Sequence, residues 1–160
     1  MAKQPVHGNS ASARRNRRGV PPASSEAARL RMQRTRQRDT AAELALRSAL
    51  HRAGLRYRVD LAPIPGVRGR ADVVFPRQRI AVYVDGCFWH SCPVHQTHPR
   101  ANSAWWAAKL QANRERDADT DRRLAEAGWL VLRFWEHEAP GAATQVVLEA
   151  VRARQALRFR

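Results

Sequence analysis

Two short apolar runs separated by a tight turn constrain the fold of this chain more than any other feature. Residues 71–75 (Ala-Asp-Val-Val-Phe) and residues 80–84 (Ile-Ala-Val-Tyr-Val) are five residues long and rich in side chains that favour strands. The turn at Pro76–Gln78 is too short for a crossover connection, which indicates that the two strands are antiparallel. The chain is therefore predicted to contain a β-hairpin.

The segment before the hairpin is predicted to form a helix and another strand. Thr40 and Glu43 have the spacing of a capping box, which marks the start of a helix that ends at Gly54. A strand is predicted over Leu55–Val59, ahead of a loop rich in proline and glycine. One face of the helix is formed by Leu46, Ala49, Leu50 and Ala53.

The segment after the hairpin is predicted to form two helices with a strand between them. With Ser103 as its N-cap, a long helix runs from Ala104 to Glu126, and a strand follows over Trp129–Trp135. A last helix runs from Gly141 to about Ala156. Because the long helix lies between the third and fourth strands, it can serve as a crossover. The expected fold class is α/β, a mixed central sheet flanked by helices.

An excess of arginine gives the chain a formal charge of +15. Only Lys3 and Lys109 of its 29 basic residues are lysines, and a guanidinium group can bond two phosphate oxygens at once. Residues 1–38 hold ten basic residues and one acidic residue. This composition favours nucleic acid as the partner, and the alternative is a basic surface without a specific role.

The N-terminal residues differ in composition from the remainder. Residues 1–25 combine proline, glycine and serine with the cluster Arg14–Arg18 and hold almost no large apolar side chain. They are predicted to form a mobile basic arm, because they bury too little surface to offset their ordering entropy. Residues 26–160 are predicted to form the folded domain. Within that domain, residues 26–38 are either a short basic helix that orders against DNA or a solvated tail.

Length, hydropathy and cysteine content exclude several classes of protein. A chain of 160 residues suits one domain. No apolar run approaches the roughly 18 residues that a membrane span needs, and none follows Met1 as a secretory signal would. Two cysteines do not make a disulfide framework. We expect a cytoplasmic protein, associated with the nucleoid when bound to DNA, without a membrane partner.

The two cysteines indicate a metal site. Cys87, Cys92 and His95 offer three zinc donors within nine residues. A fourth donor must come from elsewhere, and His137 is preferred over His98. A closed site with four ligands would be structural and would hold the loop against the sheet. The alternative is a pair of buried thiols beside surface histidines.

Four polar residues are candidates for hydrolytic chemistry. Asp72 opens an apolar strand, where a carboxylate and a neighbouring backbone carbonyl could share Mg²⁺. His90 could act as a general base, with Asp117 holding its imidazole in one tautomer. The simpler role of Asp117 is an ion pair within its helix, with Arg114 or Arg116 as partner. Capping a helix would already explain Glu43.

Aromatic side chains surround the same loop. Phe88 and Trp89 lie within it, and Trp105 and Trp106 open the following helix. Burial in the core is the ordinary role of such residues. The alternative is a wedge that inserts between base pairs.

The run Asp85–His90 (Asp-Gly-Cys-Phe-Trp-His) resembles the signature of very short patch repair (Vsr) endonucleases. The resemblance covers roughly residues 30–138 in the same order, and its Cys-Phe-Trp-His core is specific. The other matching positions are Arg38-Asp39-Thr40 with Glu43, Gly69 to Phe75, Trp106, Lys109, Asn113, Arg116-Asp117, Gly128-Trp129 and Trp135-Glu136.

This resemblance implies a restriction-endonuclease-like fold with a structural zinc site. It also implies an Mg²⁺-dependent enzyme that nicks one strand 5′ of the thymine in a T·G mismatch left by deamination of 5-methylcytosine. By analogy Asp72 and the carbonyl of Val84 bind Mg²⁺, and His90 activates water with Asp117 behind it. Glu43 lies in the outer shell of this site. The residues assigned to DNA contacts are Phe88, Trp89, Trp106, Lys109 and Asn113.

The chain departs from the family pattern at three places. Asp85 stands where some members have a second histidine, and it could contribute a carboxylate to the metal or stabilise charge. The zinc donors also differ from the family pattern in type or position, at Cys92, His95 and His137. Exchange of cysteine and histidine is chemically tolerable at a zinc site. Val82–Val84 is apolar where the wider nuclease superfamily has an acid and a lysine, and the Vsr family is itself degenerate at these positions.

Two other functions are compatible with the same residues. One is a zinc-stabilised DNA-binding module without catalysis, and the other is a related nuclease that acts on fully paired DNA. The need for Asp72, His90 and a divalent cation separates the enzyme from the binding module. A monomer is expected because one nick needs one active centre, and proteins of a repair pathway are candidate partners.

Overall fold

The computed structural model describes residues 19–34, 38–67 and 69–157. The described residues fall into two compact units, divided between positions 35 and 36. The first contains helix α1 (Glu26–Arg34), on which Leu30 and Met32 are exposed. This helix agrees with the helical alternative for residues 26–38, and its ordering against DNA stays a prediction. Residues 1–18 of the predicted arm and residues 35–37 of the predicted helix lie outside the described residues, so the boundary at residue 25 stays a prediction.

The second unit contains a mixed four-stranded sheet flanked by three helices, as predicted. Its strands lie in chain order, with β1 antiparallel to β2, β2 antiparallel to β3, and β3 parallel to β4. The parallel pair is joined through α3, which is the predicted crossover. The elements are α2 (Ala41–Arg52), β1 (Arg58–Leu61), β2 (Ala71–Phe75), β3 (Ile80–Asp85), α3 (Ser103–Glu126), β4 (Leu130–Trp135) and α4 (Pro140–Ala156).

Apolar side chains pack on both faces of the sheet. On one face, Leu50 of α2 and Val147 of α4 pack against alternate strand residues that include Val73 and Val82. On the other face, Leu124 of α3 packs against a second set of strand residues. The members of that second set are Ala71, Val74, Ala81 and Tyr83, with Trp129 and Val131 beside them.

The ends of two helices explain where the predicted strands were wrong. The N–H of Leu55 donates to Leu50 at the end of α2, and the N–H of Trp129 donates to Leu124 at the end of α3. In both turns the glycine before the donor has positive φ, as a Schellman cap requires. Leu55 and Trp129 therefore close helices, and their strands begin later, at Arg58 and Leu130.

Two smaller predictions about helices α2 and α3 also need correction. Ser103 is the first residue of α3, and its N-cap is Asn102, whose carbonyl accepts the Trp106 N–H. Ala53 is exposed rather than part of the apolar face of α2, because it follows the last helical residue. The predicted cap of α2 is confirmed, since the Thr40 side chain accepts from the Glu43 N–H.

The face of the sheet covered by α3 carries the charged residues. Because side chains alternate along a strand, Asp72 lies on the same face of the sheet as Val74, and Asp85 lies on the same face as Tyr83. Arg133 likewise lies on the same face as Val131.

Every helix in the described part of the chain is too short or too polar to cross a lipid bilayer.

Candidate active site and metal centre

Asp72 is a partly buried carboxylate near the start of β2. Its Oδ2 accepts a hydrogen bond of 2.7 Å from the Val84 N–H, so strand β3 orients it. Burial raises the pKa of Asp72 to about 6, and the charges of Glu43 and Asp85 add to the rise. The Val84 hydrogen bond and the charge of Arg47 oppose it. A desolvated carboxylate beside other acids is a group that a bound cation would stabilise.

His90 lies in the loop after β3 and faces two carboxylates. Its Nδ1 is 2.6 Å from Oδ2 of Asp117 on α3 and 3.6 Å from Oδ1 of Asp85. Burial works to lower the pKa of His90, but the hydrogen bond to Asp117 and the two negative charges outweigh it, so the pKa is raised. The structure brings together His90 and Asp117 across 27 positions of sequence.

The helical arginines near Asp117 are engaged elsewhere. Arg114 donates to Ser91 in the loop, and Arg116 donates to Asn113 and to the carbonyl of Ala112. Asp117 therefore pairs with His90 of the loop. It does not form the simpler ion pair with Arg114 or Arg116 of its own helix.

Arg133 on β4 lies among three carboxylates. Its Nη1 donates to both oxygens of Asp85 at 2.8 and 3.0 Å, and its Nε and Nη2 donate to Asp121 at 3.0–3.1 Å. Nη2 is also 3.7 Å from Oδ1 of Asp117, and the guanidinium carbon lies 4.5 Å from the centre of the Tyr83 ring. Burial works to lower the pKa of Arg133, but Asp121 and Asp85 outweigh it, so the pKa is raised.

Glu43 serves the start of helix α2. Its carboxylate accepts from the Asp39 N–H at 2.9 Å and from Arg47 at 3.0 Å, and it contacts the Thr40 hydroxyl. The side chain is buried, and its charge is close enough to raise the pKa of Asp72. The capping role of Glu43 is thus observed, and its role in the outer shell of a metal site stays a prediction.

Two cysteines and two histidines form a compact cluster that could hold a metal ion. One ligand atom from each of Cys87, Cys92, His95 and His137 lies within 4.8 Å of the others. Nδ1 of His137 is 3.1 Å from Sγ of Cys87 and 3.2 Å from Nδ1 of His95. Both thiols are buried and both histidines exposed. His98, the other predicted fourth donor, is outside this cluster.

The start of the loop that carries these groups is tied to the fold at two points. The Cys87 N–H donates to Oε1 of Glu136 at 2.7 Å, next to His137. The side-chain amide of Asn113 donates to the carbonyl of Trp89 at 2.9 Å. Asn113 is buried and supports the loop through this hydrogen bond, and its predicted contact with DNA stays a prediction.

Four aromatic rings form a continuous cluster beside the loop. Phe88 lies between Trp89 and Trp106, with ring centres 5.1 and 5.2 Å away. Trp105 adds a fourth ring at 4.8 Å from Trp106. All four are half-buried, and Lys109 is exposed one turn along α3 from Trp106. The rings thus combine mutual packing with access to solvent.

Sequence reasoning missed Arg133 and Asp121. A signal for Arg133 was present, since it is the only charged residue in the apolar strand Leu130–Trp135. Asp121 follows Asp117 by four residues, which places both carboxylates on one face of α3. An unpaired charge would be costly in such a strand, so a partner on the covering helix could have been sought.

Comparison with known proteins identifies relatives of this chain. Residues 24–96 match the profile of the family described as DNA mismatch endonuclease Vsr. The type II nicking enzyme V.NaeI of Lentzea aerocolonigenes is 44% identical over 144 residues, which cover 88% of this chain and 87% of that relative. The type II nicking enzyme V.XorIIP of Xanthomonas oryzae pv. oryzae is 39% identical, with 72% and 83% covered.

The DNA mismatch endonuclease Vsr of Escherichia coli K12 is 41% identical over 101 residues, which cover 62% of each chain. The matched profile includes the Asp85–His90 run and the three cluster donors Cys87, Cys92 and His95. The profile match over the loop and the aligned relatives indicate the same family. The chain belongs to the Vsr family of DNA mismatch endonucleases.

Proposed function

We propose that this protein nicks one strand of duplex DNA 5′ of the thymine in a T·G mismatch, by hydrolysis of a phosphodiester that depends on Mg²⁺. The observation that carries the proposal is the 2.6 Å contact between His90 and Asp117. Asp85, which lies 3.6 Å from His90, links this pair to the desolvated carboxylate of Asp72, because its charge helps to raise the pKa of Asp72. The family assignment and the basic charge support DNA as the substrate.

His90 is the proposed general base. A carboxylate can only accept a hydrogen bond, so the proton of a neutral imidazole resides on Nδ1 and is donated to Asp117. Nε2 then carries the lone pair that takes a proton from the attacking water. Asp117 does not touch the substrate in this scheme and is a positioning residue, which holds the imidazole in the tautomer that can act as a base.

The residues around Asp72 fit a magnesium ion. Mg²⁺ prefers oxygen donors, and one or two carboxylates usually suffice to hold it. Asp72 provides a carboxylate, and the N–H and C=O of a strand residue point to the same neighbouring strand, so the Val84 carbonyl is directed towards β2 as its N–H is. When bound, the ion would neutralise charge that develops on the phosphate.

The Cys/His cluster fits a structural zinc ion. In a tetrahedral site with zinc–sulfur bonds of about 2.3 Å and zinc–nitrogen bonds of about 2.05 Å, neighbouring donors lie about 3.4–3.8 Å apart. The five separations that involve a histidine nitrogen run from 3.1 to 3.9 Å, and all four donors lie within 4.8 Å of one another. Four protein donors leave no position for water, so Cys87, Cys92, His95 and His137 would hold the loop rather than take part in hydrolysis.

We test the function with a T·G duplex in which each strand is labelled in turn, under single-turnover conditions with Mg²⁺. We expect one nick, 5′ of the mispaired thymine, and no cut in the opposite strand. Equal cleavage of a fully paired duplex would instead identify a nuclease for paired DNA. Binding without cleavage at every Mg²⁺ concentration would identify a binding module.

The aromatic cluster is the proposed wedge for the mismatch. A mismatched step costs less to unstack than a paired one, so half-buried rings such as Phe88 and Trp106 can select it by energy. Lys109, exposed on the same helix, is proposed to contact phosphate.

Replacing Trp106 with alanine is expected to reduce nicking of the T·G duplex by about 10-fold to 100-fold, since stacking on one ring is worth roughly 1–3 kcal/mol. The Trp106→Phe variant retains an aromatic ring and is expected to recover most of the rate. Affinity for a fully paired duplex, measured by fluorescence anisotropy, should stay the same for all three proteins. An equal loss of affinity for both duplexes would show that Trp106 only supports the fold.

A further inference from the structure

The guanidinium of Arg133 is fixed on three sides. Asp85 accepts from Nη1 through both oxygens, Asp121 accepts from Nε and Nη2, and the Tyr83 ring lies under the group at 4.5 Å. A planar cation that donates to a carboxylate on two edges and has a ring on one face has little rotational freedom. The side chain of Arg133 is therefore held in one orientation beside the candidate active site.

Arg133 contacts both of the carboxylates that face His90. Oδ1 of Asp85 is 2.8 Å from Nη1 of Arg133 and 3.6 Å from Nδ1 of His90. Asp117 directs Oδ2 to His90 at 2.6 Å, and its Oδ1 is 3.7 Å from Nη2 of Arg133. The imidazole and the guanidinium thus share the same two acids.

We propose that Arg133 is a positioning residue for His90, and that it commits Asp85 to the imidazole instead of to the catalytic metal. This inference rests on the proposed function, because it assigns the support of the same general base. It also answers the question left open for Asp85: both of its oxygens accept from Arg133. Asp85 is then a positioning residue too.

Electrostatics explains why the site needs this cation. Asp72, Asp85, Asp117 and Asp121 concentrate negative charge in a partly buried region, and like charges there repel strongly. Without Arg133, Asp85 would lose both of its hydrogen bonds from the guanidinium and be free to turn towards a cation near Asp72. The imidazole of His90 would then lose Asp85 as a neighbour. Asp117 would lose its contact with Nη2 of Arg133.

The decisive comparison is between Arg133→Met, which removes the cation, and Arg133→Lys, which retains charge but cannot bond two acids through a fork. We expect the single-turnover nicking rate at saturating DNA to fall by about 100-fold in Arg133→Met, as small displacements of catalytic groups do. Arg133→Lys should recover part of that loss. Affinity for the T·G duplex should not change, so the effect falls on the rate and not on binding.

A double-mutant comparison tests the route through Asp85. In an Asp85→Asn background, Arg133→Met should cost much less than it does in the native background, because the contact it supports is already weakened. Equal losses in both backgrounds would overturn the assignment. The matched control is Arg122→Met, which removes an exposed arginine of α3 that also pairs with two acids, Asp119 and Glu126, and which should nick at the native rate.

Nuclear magnetic resonance of the full-length protein separates this inference from the proposed function. The Nδ1 proton of His90 should give a protected downfield signal in the native protein, in Arg122→Met and more weakly in Arg133→Lys, and it should be lost in Arg133→Met. This readout needs no cleavage, so it holds even if the native protein nicks no duplex. A retained signal in a folded Arg133→Met protein would overturn the inference. If that variant does not fold, Asp121→Asn provides a second test, because it removes one partner of Arg133 at a partly exposed position. The Nδ1 signal of His90 should weaken in Asp121→Asn. An unchanged signal in that variant would overturn the inference equally.

Discussion

Replacing Asp72 with asparagine is expected to reduce nicking of the T·G duplex by about 10³-fold or more, while binding of that duplex is retained. The amide keeps the shape of the side chain but loses the charge that would hold Mg²⁺. Stabilisation of transition-state charge by a metal is worth several kcal/mol, and each 1.4 kcal/mol is a factor of ten in rate. Single-turnover cleavage and fluorescence anisotropy measure the two effects separately.

The control for Asp72→Asn is Asp119→Asn, which removes an exposed carboxylate of α3. It is expected to nick at the native rate. Because burial and neighbouring acids raise the pKa of Asp72 to about 6, neutralising this side chain relieves repulsion, and the variant should melt no lower than the native protein. Cleavage by Asp72→Asn at the native rate would remove Asp72 from the mechanism.

Removal of the metal from the Cys/His cluster is expected to lower the melting temperature by about 10 °C. A metal present at about 1,000 times its dissociation constant adds roughly 4 kcal/mol of stability, and a domain of this size melts about 2–4 °C lower for each kcal/mol lost. The same loss is expected from Cys92→Ser, since Cys92 is fully buried. Elemental analysis of the native protein should find one zinc per chain.

His98→Ala is the matched control for the metal cluster, since His98 lies in the same loop but outside the group of four donors. That variant should bind zinc and melt as the native protein does. A melting curve of the native protein that a strong chelator leaves unchanged, together with an absence of zinc, would show that the two thiols are only packed side chains.

The main elements of the fold could be predicted because local patterns determine them. The apolar runs at residues 71–75 and 80–84 and the capping box at Thr40 depend on neighbouring residues alone. The first residues of β1 and β4 could not be predicted in this way, because Leu55 and Trp129 are apolar residues of the kind found in strands. Their N–H groups are nevertheless taken by the preceding helices, and a hydrophobic pattern does not report where a backbone N–H donates.

The candidate site was predictable only where its residues carry a recognisable motif. His90, Cys87 and Cys92 belong to one short run, and the positions of Asp72, Asp117 and His137 in the predicted elements made them candidates, to which the family resemblance assigned roles for Asp72 and Asp117. Arg133 and Asp121 belong to no motif that was recognised. Their pairing depends on the register of β4 beside β3 and on the path of α3 across both strands, which are set by tertiary packing.

The parallel pairing of β3 with β4 has a consequence for when the protein becomes able to cut DNA. Arg133 and His137 are supplied by the last strand and the turn after it, and they meet partners 42–50 positions earlier in the chain. Such contacts cannot form until both segments of the chain have been synthesised. A nascent chain that has emerged only as far as α3 holds neither the complete metal cluster nor the cation beside the imidazole. We therefore expect cleavage of DNA only by chains in which β4 and the turn after it have been synthesised.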